Sequence, residues 1–175
     1  MTNETLETLK TRRSCRSFKP DMLKTEELQA IIEAGTYAPS GRGNQSSIII
    51  SVTNKEWRDK IAEENRKIGN WPEGFDPFYG APVILIVLAC KKYPTYLYDG
   101  SLVLGNLQNA AASLGVGSIW IHRAKQEFES DFGKALLRKL GITEEVEGIG
   151  HCALGYPQTG YQAPVPRKKD YVYHL

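Results

Sequence analysis

The chain has 175 residues, 41% of them hydrophobic and 24% charged, which suits one soluble globular domain and excludes global disorder. A formal net charge of +2, with basic residues spread among acidic ones as in Lys55–Lys67, argues against nucleic acid or a polybasic membrane anchor as partner. The longest apolar run, Ala81–Cys90, is about half of what crossing a bilayer requires and reads as a buried strand. The polar opening Met1–Glu7 has no apolar stretch of the signal-peptide kind. Cys15, Cys90 and Cys152 form no C-x-x-C pair and leave one cysteine over, so reduced thiols and a cytoplasmic location are expected. Three unclustered histidines give no basis for a metal site.

In chain order, Asn3 can cap a first helix running to about Arg12, with Leu6 and Leu9 on one face. Thr25 is the expected cap of a second, with Glu26 and Glu27 in its first turn and Leu28, Ile31 and Ile32 on its apolar face; Pro39 ends it. Ser47–Val52 is a β-branched strand, and Asn54 caps a third helix carrying Trp57, Ile61 and Ile68. Trp71–Gly80 is too punctuated by glycine and proline for regular structure. Pro82–Ala89, apolar on both faces, is the expected central strand. A helix over Leu102–Leu114 stopped by Gly115, a strand at Ile119–Ile121, a helix through Phe128 and Leu136 to Gly141, and a strand over Glu147–Leu154 follow. Pro164–Leu175 lacks a core of its own, and its alternating Tyr171 and Tyr173 suggest a last strand docked elsewhere. Uneven interleaving of helices and strands predicts a three-layer α+β domain.

Several segments carry polar chemistry. Arg12, Arg13, Ser14 and Arg16 form a dense set of anion-binding donors at a helix end, either a phosphate site or a solvated C-terminus. The loop Ala38–Gln45 places Ser40, Asn44 and Gln45 beside Gly41 and Gly43, where a backbone can approach a ligand or simply turn. Gly148-Ile-Gly150-His-Cys-Ala153 mimics a dinucleotide-binding turn, but Gly155-Tyr156-Pro157 forbids the helix that turn must open. His122 ends a strand and can serve as base, ligand contact or neither. His151 and Cys152 are neighbours on a strand and face opposite ways, so they cannot form a nucleophilic pair. Arg167, Lys168 and Lys169 gain meaning only if the tail folds back beside Arg12–Arg16.

Together these segments resemble the nitroreductase family of FMN enzymes over essentially the whole chain. The resemblance is carried by R-R-S-x-R-x-F at Arg12–Phe18, A-P-S-G at Ala38–Gly41 with its Gln45, L-G-x-G-S at Leu114–Ser118, A-L-G-Y-P at Ala153–Pro157, and the basic cluster Arg167–Lys169 before the last strand. It implies a single domain, residues 1–175, with helices on both faces of a mixed, largely antiparallel sheet. It also implies a homodimer with two FMN sites at the interface and residues 164–175 exchanged onto the partner. By matching position, Arg12, Arg13, Ser14 and Arg16 hold the phosphate and one flavin edge. Ser40, Gly41, Gly43, Asn44 and Gln45 reach the partner's FMN. Ile121, His122 and Arg123 lie against the ring, and Arg167 with Lys168 or Lys169 completes the phosphate site.

The implied activity is hydride transfer from NAD(P)H through FMN to nitroaromatics, quinones or similar small acceptors, by a ping-pong route. The alternatives are a flavin carrier or sensor without turnover, and other flavin chemistry such as dehalogenation. Arg16 is the candidate for stabilising charge on the reduced ring; no general acid is named. The sequence departs from the family at Gly43, where asparagine is usual, and at Ser46-Ser47, where Pro-Trp is usual. With so short a chain, Trp71–Tyr79 is the expected pocket wall, offering Phe75, Phe78 and Tyr79 to an aromatic substrate.

Overall fold

Local signals start most of the helices. In the computed structural model, which describes residues 1–175, Asn3 accepts from the Leu6 N–H and starts α1 (Glu4–Thr11), and Asn54 does the same for α3 (Lys55–Ile68). The second helix, α2 (Thr25–Thr36), is capped by Lys24 rather than Thr25: the Glu27 carboxylate folds back onto the Lys24 N–H at 3.3 Å, so no hydroxyl cap is needed. After β1 (Ser47–Val52) and β2 (Val83–Cys90), α4 (Tyr96–Ser113) begins six residues before the expected Leu102. Its early turns carry buried Asp99 and Gly100, which an apolar periodicity does not register. Beyond β3 (Gly117–Ile121), the expected fifth helix is two, α5 (Ala124–Glu129) and α6 (Asp131–Leu140). Ser130 between them caps α6 through the Gly133 N–H at 3.3 Å.

The last strand, β4 (Val146–Gly155), completes a sheet ordered β1-β2-β4-β3 in which every neighbour is antiparallel. Mixed character is confined to one parallel bridge, Ser14 to Ser118, on the free side of β3. The weakest strand signal thus marks a central strand, because the glycines of β4 are packing sites. A Cβ at Gly148 would strike the Ala124 carbonyl, and one at Gly150 would strike the Trp120 indole.

β2 explains the layers. Val83, Leu85, Val87 and Ala89 join one core with α2 and α4, while Ile84, Ile86 and Leu88 join a second with α3, α5 and α6. A strand turns alternate side chains to alternate faces, so one apolar at every position needs cover on both. Each larger side chain, fully buried, contributes about 1.5–3 kcal/mol. The same alternation separates His151 from Cys152: the ring meets Phe78 on the α3 side, and the thiol enters the α4-side core, where burial pushes it up to about 12. Residues 164–175 form no strand within the chain; Pro164 and Pro166 interrupt donors there, and Tyr171, Val172 and Tyr173 are exposed.

Candidate functional site

The two basic clusters, some 150 positions apart, meet. Arg12, Arg13, Ser14 and Arg16 line one side of an open cleft of about 770 Å³, and Gln162–Arg167 line the other. The segment after α1 is stitched in place by backbone bonds: the Cys15 N–H donates to Ser118 O at 2.9 Å, Lys19 to Tyr156 at 2.9 Å and Gln158 to Ser17 at 3.0 Å. The arginines divide their roles. Arg13 caps α1, donating to Lys10 O at 2.8 Å and Arg12 O at 2.7 Å, so the helix-terminus alternative holds for it. Arg12 Nη1 is buried without an acceptor, and Arg16 is exposed. Arg167 donates to Val165 O at 3.2 and 2.5 Å beside the cleft. Lys168 turns away, its ammonium 5.3 Å from the Tyr171 ring centroid, and neither it nor Lys169 lines the cleft. A buried guanidinium nitrogen with nothing to donate to is costly unless an anion arrives. An FMN phosphate fits that requirement.

The Ala38–Gln45 loop stands apart from the cleft. It borders a separate cavity of about 300 Å³ between α2 and α4, lined by Pro39, Ser40, Gln45 and Asp99 among others. Arg42, Gly43 and Gln45 have positive φ (54°, 68° and 49°), a cost of roughly 1–2 kcal/mol for each non-glycine residue. Asp99 holds this strained turn. Its buried carboxylate accepts from the Gly41 N–H at 3.0 Å, the Ser46 hydroxyl at 2.7 Å and the Thr95 hydroxyl at 3.2 Å, at the N-terminal end of α4 where an anion is favoured. Gly41 is required, since a Cβ there would strike Thr95.

At the far end of β3 lies the turn Ile121-His122-Arg123. It begins three positions beyond Ser118, a run of roughly 10 Å along a strand. Asn65, buried on α3, donates to His122 O at 3.1 Å and accepts from Arg123 Nε at 3.2 Å. His151 Nδ1 lies 3.3 Å from Ile121 O, and its Nε2 lies 3.0 Å from Glu127 Oε2, off the line of a straight hydrogen bond. Arg123 adopts φ 82° and stacks 4.1 Å above the Trp71 ring; desolvation lowers its guanidinium from the ordinary value. The N–H groups of His122 and Arg123 donate to no group in the chain.

The Trp71–Tyr79 segment folds over this turn. Trp71 and Phe75 pack with centroids 4.7 Å apart, and Asp76 ties the segment to Arg58 and to the Phe78 and Gly80 N–H groups. Phe75 is partly exposed and Tyr79 half-buried. Phe78 is not a wall residue: it is fully buried, edge-on to His151 at 5.3 Å, in the core on the α3 side, with its N–H held by Asp76. Trp71 takes its place on the outer side.

Sequence reasoning missed four residues that position these pieces: Asn65, Asp99, Glu127 and His151. For two of them a signal exists. Asn65 falls at helical spacing between Ile61 and Ile68, and Asp99 precedes Val103 and Leu107 by four and eight positions, each a polar group on an apolar stripe.

Comparison with known proteins places this arrangement. A nitroreductase with bound FMN from Desulfitobacterium hafniense superposes with a TM-score of 0.89 at 31% identity, covering 100% of both chains. One with bound FMN from Bacteroides fragilis gives 0.88 at 29% identity, covering 99% of this chain and 100% of that one. An FMN reductase (NAD(P)H) of Bacillus subtilis is 29% identical over 178 residues, 89% of this chain and 66% of its own length. The profile of the nitroreductase family matches residues 9–156, and the chain belongs to that family of oxidoreductases.

Proposed function

We propose that this chain is an FMN-dependent NAD(P)H oxidoreductase acting on nitroaromatics, quinones or similar small acceptors. The observation that carries the proposal is the basic cleft with its unpartnered buried Arg12 nitrogen, joined along β3 to a turn with two free N–H groups. Bound FMN supplies hydride exchange between nicotinamide and acceptor, which succeed one another at one place and so give ping-pong kinetics. The chain supplies the rest. Arg12, Ser14, Arg16 and Arg167 bind phosphate. Ile121, His122 and Arg123 form the backbone platform for the ring, and the Arg16 cation favours negative charge near it. Trp71 and Phe75, pinned above Arg123, wall the acceptor side.

A second copy completes the site. The loop Ser40–Gln45 does not reach this chain's own cleft. Exposed Tyr37, Leu97, Tyr98 and Leu102, with Tyr171 and Tyr173 of the tail, supply apolar surface for a partner to cover. Three unpaired cysteines accord with a reducing, cytoplasmic setting, and no helix is long and apolar enough to cross a membrane.

The test is an absorption spectrum of the purified protein before and after anaerobic NADH or NADPH. Flavin bands that bleach, and return on adding a quinone or nitroaromatic, are the expected result. Bands that persist with both nicotinamides would make the protein a carrier, and no flavin after incubation with FMN would overturn the reading.

A further inference from the structure

We propose that the Arg123 guanidinium is a specificity-determining subsite that takes the carboxylate of an aromatic acceptor lying over the flavin ring; the proposal rests on the FMN reading above. Arg123 sits just past β3 with a backbone that a side chain disfavours, φ 82°. The other four non-glycine residues with positive φ lie between 49° and 56°, in the ordinary left-handed well, whereas 81° and 82° are the values of Gly80 and Gly74. A glycine would relieve this strain, so an arginine here calls for a compensating role of its side chain.

That side chain is held in place yet left open. Asn65 Oδ1 accepts from its Nε at 3.2 Å, and the Trp71 ring covers one face with its centroid at 4.1 Å. The two terminal nitrogens donate to nothing in the chain and are not buried. No carboxylate lies within ion-pair distance of Arg123, whereas the cations around it are answered. Arg66, which donates to Trp71 O from the other side, is held by Glu63 at 2.7 and 2.8 Å, and Lys125 by Glu147 at 3.3 Å. Arg123 is also partly desolvated. An ordered guanidinium that has lost water and keeps its fork free is matched by a carboxylate, which accepts two parallel N–H bonds in the guanidinium plane.

Place selects the ligand. The Arg123 N–H is one of the two free amides of the ring platform, and the guanidinium of the same residue lies against the wall formed by Trp71 and Phe75. A planar molecule stacked on the ring beside that wall therefore brings its own substituents to the guanidinium. A carboxylate borne directly on an aromatic ring fits this short reach, whereas the phosphates of a nicotinamide nucleotide are set a ribose away from its ring. Arg123 does not line the basic cleft of Arg12 and Arg167, so the phosphate of FMN does not occupy it.

The experiment uses the full chain, loaded with FMN, oxidised and without reductant. It is titrated with p-nitrobenzoate and with its neutral counterpart p-nitrobenzamide, and binding is read from the perturbed flavin bands. The native protein is expected to bind the carboxylate about tenfold more tightly than the amide, the value of one charge-assisted contact. In Arg123→Gly, whose backbone suits φ 82°, the two affinities should converge to within about twofold. A native protein without the preference, or an Arg123→Gly protein that keeps it, would overturn the proposal; so would a variant that weakens both ligands alike, which is the mark of an arginine that only holds Trp71. A preserved carboxylate preference with a KM rise confined to NADPH would assign Arg123 to a nucleotide phosphate and overturn it too. Should Arg123→Gly fail to hold FMN, the nitrogen-15 resonances of the native Arg123 guanidinium decide: shifts with p-nitrobenzoate but not with p-nitrobenzamide support the proposal, and resonances that stay put overturn it. A native protein that takes up no FMN would remove the FMN reading and this proposal with it, whereas a yellow protein without the preference overturns this proposal alone.

Discussion

The two ends of the candidate site are built on opposite plans. At the phosphate end, Arg12 keeps a buried nitrogen without a partner, Arg16 is exposed, and Arg167 bonds only to its own neighbourhood. At the ring end, the Ile121 carbonyl is paired with His151 in the β3–β4 ladder, the His122 carbonyl is held from behind by buried Asn65, and only two N–H groups are left free. Charge therefore waits for its ligand at one end, while geometry is finished in advance at the other. A phosphate can be met by flexible guanidiniums because its attraction is strong and tolerant of angle. A flat ring approached by backbone amides demands orientation fixed before it arrives.

If that division is correct, substitutions at the two ends should fail differently. The largest effect is expected from Glu127→Ala, which leaves His151 buried without its partner and opens space in the core: a loss of about 3–5 kcal/mol in urea unfolding, with or without FMN. Arg12→Ala is expected to do the reverse. Its flavin-free folding stability should be level or slightly raised, because the lost nitrogen is a buried donor that bonds to nothing in the chain, while FMN affinity should fall by roughly 1.5–3 kcal/mol, read by titration of the flavin-free protein. An Arg12→Ala protein that is strongly destabilised yet binds FMN normally would invert the comparison.

The smallest effect lies outside the site and marks its background. Tyr156, just after β4, donates to Glu27 at 2.5 Å, and that bond, assisted by the Lys24 backbone and ammonium, holds the Glu27 carboxyl below its ordinary value of 4.5 against an opposing desolvation effect. A carboxyl depressed in the fold stabilises above its unfolded value, and the contribution disappears as pH falls through the folded one. The native protein should therefore be slightly more stable than Glu27→Gln at pH 7, and the gap should close as pH falls below the ordinary carboxyl range in paired urea melts. A gap that persists in acid would assign the Glu27 effect to packing.

Much of this was legible locally. Arg12–Arg16, the Ala38–Gln45 loop and Gly148–Ala153 could be recognised or dismissed from spacing, and the alternation in β2 required helices on both faces. Other features were hidden because local patterns do not carry them. The glycines of β4 looked like weak strand because what they accommodate, Ala124 and Trp120, lies on other elements. Phe78 looked like a wall residue because hydrophobicity does not reveal which way an irregular segment turns.

The sequence by itself determined the periodicities, the helix caps at Asn3 and Asn54, the local arginine cluster and the family pattern. These depend on residues within a few positions of one another, where spacing dictates which side chains can meet. Only the tertiary structure decided that Arg167 faces Arg12, that Arg13 is engaged by α1, that Asp99 and Asn65 hold the loop and the turn, and that Glu127 meets His151. Those contacts join positions tens of residues apart, and a buried polar group is given its partner by the packing of whole layers rather than by its neighbours in the chain.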